Sequence, residues 1–368
     1  MLFPFARPLY VMVKPVGSRC NLSCSYCYYL SKERGLLDDA LLETFTQQYI
    51  EAQTQREVLF TWHGGEPLLM PITYYERALA LQQKYAGGHH IDNCLQTNGT
   101  LLTDEWCRFF RRNNFLIGVS IDGPELMHNH YRQQFHEVMR GIDLLQKHGV
   151  MWNAMATVNR FNADVPLGFY RFFKEIGCEF LQFTPVVEPS AGDRSEGVKT
   201  DAGVSPLSVT PQQWGRFLTT LYDEWTKADI GRVFVQLFDA TLANWSGHAP
   251  SLCSLSPTCG QSAALQPNGN LYSCDHFVFP QYRLGNIREH TITELMYSER
   301  QRHFGSSKRS GLSEKCRQCR FLFACYGECP KNRILPGGEN YLCEGYLQFF
   351  NHVASDMESM AAELRARQ

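Results

Sequence analysis

The stretch SRCNLSCSYCYYL, residues 18–30, sets Cys20, Cys24 and Cys27 in a C-x3-C-x2-C spacing, directly after the apolar run LYVMVKP (9–15). That run reads as a strand, so the three cysteines sit on the loop that leaves it. Three thiolates this close together can grip one face of a cubic four-iron, four-sulfur cluster, whereas a closed site would take four cysteines. One iron is then left open. The alternative reading is a zinc site whose fourth ligand comes from elsewhere in the chain.

Working outward, β-type runs recur at EVLFTW (57–62), NCLQT (93–97), FLIGVSI (115–121), NAMATV (153–158) and EFLQFT (179–184). Between them the segments 40–52, 74–85, 104–112 and 138–149 carry apolar residues at three- and four-residue spacing, the helical period. Six βα units predict an α/β fold, a partial (β/α)6 TIM-like barrel. Working residues of such barrels lie on loops after the C-terminal strand ends. The polar candidates follow that rule: Cys20–Cys27 after the first strand, His63-Gly64-Gly65-Glu66-Pro67 after the second and Asn98-Gly99 after the third. Asp122-Gly123-Pro124, Asn159-Arg160 and Pro185 follow the fourth, fifth and sixth.

The segment 188–211, rich in Gly, Ser, Pro and charge, reads as a linker or flap. Helices are expected at 211–228, 234–246 and 346–366, with a cysteine-rich region before the last. The expected domains are therefore a barrel over 1–190, a linker with helices over 191–250, a cluster domain over 251–345 and a C-terminal helix over 346–368.

Composition narrows the function. The chain has 368 residues, is 44% hydrophobic and carries a net charge of −2, so it can bury a sizeable core and offers no electrostatic reason to bind nucleic acid. Its apolar N-terminus is broken by Pro4, Arg7, Pro8 and Lys14 and does not read as a signal peptide. No apolar run approaches the roughly 18 residues a membrane span needs. A soluble, cytoplasmic protein is expected. Fourteen cysteines in a reducing compartment then call for metal ligation or catalysis rather than disulfides. Cys94, Cys107 and Cys178 are scattered and read as small buried hydrophobes.

With Tyr26 before the last cysteine, the motif C-x3-C-x-aromatic-C resembles the hallmark of radical S-adenosylmethionine (SAM) enzymes. In such enzymes the open iron chelates SAM and an electron from the cluster cleaves it. Gly64-Gly65-Glu66-Pro67 resembles the family's GGEP motif, which binds the SAM amino group. The same resemblance implies SAM contacts from Tyr26, Asn98, Ser120, Asp122 and Arg132. Further on, Cys253, Cys259, Gly269 and Cys274, then Cys316, Cys319, Cys325, Cys329 and Cys343, are similar in spacing to the SPASM domain. The resemblance implies one auxiliary [4Fe-4S] cluster on Cys253, Cys259, Cys274 and Cys329 and another on Cys316, Cys319, Cys325 and Cys343. Two four-cysteine zinc sites are the alternative.

FTWHGGEP, LQTNG, SIDGP, QFTPVVEP, PTCG and YSCDHFVFPQYRLGN are similar to anaerobic sulfatase-maturating enzymes, which oxidise a cysteine or serine of a sulfatase to Cα-formylglycine. The resemblance implies three [4Fe-4S] clusters, SAM, an unfolded or nascent sulfatase polypeptide as partner and a flavodoxin- or ferredoxin-type reductant. It assigns Asp275 the role of base and puts His63 near the target peptide. Two departures stand out: the family commonly has Gln where this chain has His63, and it continues past Tyr131-Arg132 with a Gly- and Lys-rich loop where QQFHEVMR follows here. Two other readings fit the same cysteines: a maturase that modifies a ribosomally made precursor peptide, and a zinc scaffold without activity.

Overall fold

The computed structural model describes residues 9–190 and 203–367. Residues 1–8 of the N-terminal segment and 191–202 of the predicted linker lie outside the described residues. In chain order the elements are β1 (Tyr10–Val13), α1 (Asp39–Glu51), β2 (Glu57–Trp62), α2 (Ile72–Tyr85), β3 (His90–Thr97), α3 (Asp104–Arg112) and β4 (Leu116–Ser120). Next come α4 (Glu125–Tyr131), α5 (Phe135–Lys147), β5 (Trp152–Val158), α6 (Pro166–Glu175), β6 (Phe180–Pro185), α7 (Pro211–Ala228), β7 (Phe234–Val235) and α8 (Gln236–Trp245). The last stretch holds β8 (Ser262–Leu265), β9 (Asn270–Tyr272), β10 (Arg283–Asn286), α9 (Ile292–Met296), α10 (Glu299–Ser310), α11 (Glu314–Arg317), α12 (Leu322–Cys325) and α13 (Cys343–Ala366).

The chain divides into two compact units that do not follow its linear order. One combines the chain up to Ser120 with Arg132–Trp152 and Gly260–Ser306. Its strands run β10-β9-β8-β1-β2-β3-β4. From β8 through β1 and β2 to β4 every pairing is parallel, while β9 and β10 join antiparallel. The core is aromatic. In β2 alternate residues Val58, Phe60 and Trp62 are buried, and Phe60 meets Tyr49 of α1 edge to face at 5.0 Å. The Tyr49 hydroxyl donates to the carbonyls of Leu9 and Leu59, so the buried ring carries no unpaired polar tip. Local signals set the helix starts: Asp38 caps α1 through Leu41 N at 2.7 Å, and Thr103 caps α3, which opens on Asp104 and Glu105 and ends on Arg111 and Arg112.

The other unit combines Ile121–Tyr131, Asn153–Cys259 and the chain from Ser307 onward. Here β5, β6 and β7 are parallel. A capping box between Thr210 and Gln213, with Pro211 in the first turn, starts α7. That helix packs Trp214 against Tyr346 of α13, rings 6.0 Å apart, and Tyr222 against Phe349, rings 6.2 Å apart. The crossing is close because Gly345 lies against the first turn of α7: a Cβ there would stand 2.3 Å from the Pro211 carbonyl oxygen.

The β/α alternation expected from the first half of the sequence is present, with β2 over the same residues as read. Cys107 and Cys178 are buried as expected, while Cys94 is only half-buried. The cysteine-rich region is more regular than its sequence suggests, since β8 pairs directly with β1. No helix among the described residues is long and apolar enough to cross a membrane. One outcome follows from the α7–α13 crossing. Gly345→Ala forces the two helices apart and lowers stability by about 1–3 kcal/mol. Gly215→Ala costs less, because its nearest obstacle is the mobile end of Gln348. Urea unfolding followed by tryptophan fluorescence measures both.

Candidate active site

The loop carrying Cys20, Cys24 and Cys27 is fastened by backbone. Ser18 N donates to Glu33 O at 2.8 Å, Gly65 N to Gly17 O at 2.7 Å and Glu66 N to Arg19 O at 2.8 Å. The glycines after β2 are required by this docking: Gly64 has φ +132°, and a Cβ on Gly65 would lie 1.9 Å from the Arg19 carbonyl oxygen. The end of β2 is thereby pressed onto the cysteine loop. All three cysteines are half-buried, and Cys20 Sγ accepts from Leu22 N at 3.4 Å and Asn98 Nδ2 at 3.8 Å. The Cys24 thiol reaches Arg132 O at 3.9 Å.

Glu66 is fully buried. Its Oε1 accepts from Leu68 N and Thr97 Oγ1, both at 2.9 Å, and its Oε2 from Asn98 N at 2.8 Å. Burial pushes its carboxyl up to about 7 against the lowering effect of those bonds. Asn98 also donates to Asn21 Oδ1 at 2.8 Å, the Arg132 guanidinium lies 5.5 Å from the Tyr26 ring centroid, and Ser120 Oγ accepts from Gln96 Nε2 at 2.9 Å. One unit therefore gathers Cys20, Cys24, Tyr26, Cys27, Gly64, Gly65, Glu66, Asn98, Ser120 and Arg132. Asp122 belongs to the other unit, where it is buried and its Oδ1 accepts from Thr157 N at 2.8 Å.

The same first unit holds a buried charge network that sequence reading found only in part. Asp275, beside Cys274, pairs through Oδ1 with the Lys14 ammonium at 2.5 Å, while Tyr28 donates to its Oδ2. Lys14 is wholly buried and lies 3.2 Å from His63 Nδ1. Burial alone would raise the Asp275 carboxyl. The Lys14 ammonium, the largest charge effect on the group, outweighs it and holds the carboxyl well below the ordinary carboxylate range. Burial and the Lys14 charge push the His63 ring well below its usual value, so it is neutral. Lys14 was read in the sequence only as a break in an apolar N-terminus, and Tyr28 as part of the cysteine motif. A lysine directly after a buried strand was the available signal, because an unpaired ammonium does not stay buried.

In the second unit Cys316, Cys319, Cys325 and Cys343 line one cavity of about 430 Å³ together with Leu322, Tyr346 and Leu347. Burial pushes the Cys325 thiol up to about 12, which calls for a bound cation to ionise it. Burial raises the Cys259 and Cys329 thiols of this unit, and Cys253 lies close enough to raise both further. The wholly buried Lys308 donates to the carbonyls of Cys253 and Ser254 at 2.8 and 2.7 Å. Among the described residues no three His, Cys, Asp or Glu side chains are drawn together as a single-ion site requires. Four sulfurs around a cavity of this size suit a bulkier iron-sulfur group better than a lone zinc ion. Cys274 lies in the first unit.

Comparison with known proteins agrees with this chemistry. Residues 15–172 match the radical SAM superfamily and 253–320 the SPASM iron-sulfur cluster-binding domain. A serine-type anaerobic sulfatase-maturating enzyme of Bacteroides thetaiotaomicron is 53% identical, over 99% of this chain and 94% of its own. A serine-type relative from Klebsiella aerogenes is 37% identical over 97% of this chain and 88% of its own, and a cysteine-type relative from Clostridium perfringens 31% over 97% and 100%. The solved structure of native anSMEcpe with bound AdoMet and Cp18Cys peptide superposes with a TM-score of 0.88 at 30% identity, covering 97% of this chain and all of that one. The α/β fold is thus the partial barrel of radical SAM proteins, with [4Fe-4S] clusters and SAM as cofactors. The chain belongs to the anaerobic sulfatase-maturating enzymes, radical SAM oxidoreductases that carry a SPASM domain.

Proposed function

We propose that this protein oxidises one serine of an unfolded or nascent sulfatase polypeptide to Cα-formylglycine. Serine is preferred to cysteine as target because the 53% and 37% identical relatives are serine-type and the cysteine-type relative stands at 31%. The observation that carries the reading is Asp275, a buried carboxylate kept ionised by Lys14 and joined covalently to a cysteine of the cluster-binding domain.

Turning –CH2OH into –CHO removes one hydrogen atom, one proton and one electron. Bound at Cys20, Cys24 and Cys27, a cluster with SAM would supply the radical chemistry for the Cβ hydrogen, and a cluster held by the later cysteines would supply an electron acceptor. The chain supplies the rest. Cys20, Cys24 and Cys27 hold the first cluster. Tyr26, Gly64, Gly65, Glu66, Asn98, Ser120, Asp122 and Arg132 would hold SAM, with Glu66 as the acceptor for its amino group; Arg132 is set against Tyr26. Asp275 takes the hydroxyl proton, and His63 contacts the target peptide. Cys253, Cys259, Cys274 and Cys329 hold one auxiliary cluster, and Cys316, Cys319, Cys325 and Cys343 the other. Four sulfurs each leave no open iron, which suits electron transfer rather than substrate binding. A flavodoxin- or ferredoxin-type protein is the proposed reductant and the cytoplasm the proposed compartment. The segments 1–190, 191–250, 251–345 and 346–368 stand as the proposed linear organisation.

Paired peptides bearing Ser-x-Pro-x-Arg or Cys-x-Pro-x-Arg, incubated anaerobically with reconstituted enzyme, SAM and a reductant, test this directly. An aldehyde located at the serine by mass spectrometry is expected. A crosslinked peptide without aldehyde would transfer the chain to the precursor-peptide maturases. Asp275→Asn, which keeps shape and loses the base, lowers aldehyde formation by about 100-fold or more while 5′-deoxyadenosine is still released.

Glu66 supplies a pH test. Its carboxyl titrates near 7 in the free protein, so below that pH a proton must leave before the group can accept from the SAM amino group. Affinity for SAM therefore weakens about tenfold from pH 8 to pH 6. Glu66→Gln binds SAM more weakly and shows a smaller change over that interval, as calorimetry can record.

A further inference from the structure

We infer that Lys14 is a positioning residue of the oxidation, one that sets the Asp275 carboxylate and fixes His63 as a neutral ring carrying its proton on Nε2. This rests on the proposed function, in which Asp275 is the base.

The argument begins with donors. An ammonium has three N–H bonds and no acceptor, so its 3.2 Å contact makes His63 Nδ1 the acceptor. Gly64 N donates to the same Nδ1 at 2.6 Å. Two donors on one nitrogen leave the ring proton no place but Nε2. His63 is thereby a donor at its outer nitrogen and cannot compete with Asp275 for the substrate proton.

The ammonium itself is held still. Lys14 N donates to Leu265 O at 2.9 Å, and His63 N to Val13 O at 2.9 Å, so the backbone on both sides is in sheet register. The Tyr29 ring flanks the ammonium at 4.7 Å, and its hydroxyl is tied to Gln266 Oε1 at 2.7 Å. Lys14 is 0% exposed, and the carboxylate facing it is Asp275. One nitrogen thus links the end of β2 to the turn after β9. A side chain docked against Asp275 finds an aligned acceptor with the His63 ring as neighbour, and neither group has to reorient as the proton moves.

The test compares wild type, Lys14→Met, Lys14→Gln, His63→Gln and the double variant Lys14→Met/His63→Gln, all purified anaerobically, reconstituted and assayed for iron. The measured quantity is formylglycine formed per 5′-deoxyadenosine on the serine peptide. Lys14→Met is expected to lower that ratio about 100-fold, as loss of alignment does. Lys14→Gln, which retains a donor for Nδ1 but no charge, falls between. The double variant loses less than the product of the single losses, because the two side chains act through one contact. An unchanged ratio in Lys14→Met overturns the inference. So do strictly multiplicative losses, or a fall in iron, 5′-deoxyadenosine and aldehyde together in both Lys14 variants, which would make Lys14 a packing residue. A wild-type enzyme that forms no aldehyde refutes the proposed function instead, and is read from the same assay.

Discussion

The first unit depends on a backbone passage too tight for any side chain. Gly65 lies under the Arg19 carbonyl, where a Cβ would come within 1.9 Å, and the Gly65 and Glu66 amides donate to the carbonyls of Gly17 and Arg19. The position of the cysteine loop is therefore set by main chain, whose conformational freedom is small, and not by long side chains that can change rotamer. The same passage delivers Glu66 into a cage of Leu68, Thr97 and Asn98 donors. Thiolates and carboxylate are thus fixed relative to one another by one geometric event, as a site that must clasp a ligand between them requires.

Charge is buried in both units, and each buries a lysine in a different way. Lys14 faces a carboxylate and leaves that carboxylate ionised. Lys308 donates to the carbonyls of Cys253 and Ser254 and so sets its ammonium beside thiols. Arg333 closes the same region through the carbonyls of Gly327, Tyr326 and Lys308. Both solutions meet the rule that a buried cation must be compensated. They differ in outcome: the first orients a carboxylate, and the second sets a positive charge beside sulfurs, which favours their ionised form.

What the sequence could disclose was whatever is local. The C-x3-C-x2-C spacing, the GGEP turn and the alternation of Val58, Phe60 and Trp62 each lie within a few residues, and each is legible from period and spacing. β3 starts at His90 rather than 93 because its first residues, polar in sequence, pair with Glu57 to Leu59 of β2. α13 begins at Cys343 rather than 346 for a similar reason, its first turn being set by the close passage of Gly345. Strands β8 to β10 are three or four residues long and gain their identity from β1, a partner distant in sequence. Lys14 was illegible on the same ground: its meaning lies in Asp275 and His63, and nothing within its own neighbourhood announces them.

In the role proposed for it, Asp275 would owe its placement to covalent geometry more than to packing. Its Cα is fixed at about 3.8 Å from that of Cys274. The strand end before it is pinned by Ser273 N donating to Tyr282 O at 3.0 Å and by Gln301 Nε2 donating to Ser273 O at 3.2 Å. On the proposed ligand assignment, the proton acceptor and a ligand of the electron acceptor are consecutive residues. Any shift of the polypeptide moves both together. In the proposed oxidation of a serine hydroxyl a proton and an electron both have to leave, so an error in the distance between their two acceptors would be damaging. Placing them on adjacent residues removes that error at its source, and the Lys14 ammonium then has only the carboxylate's rotation left to control.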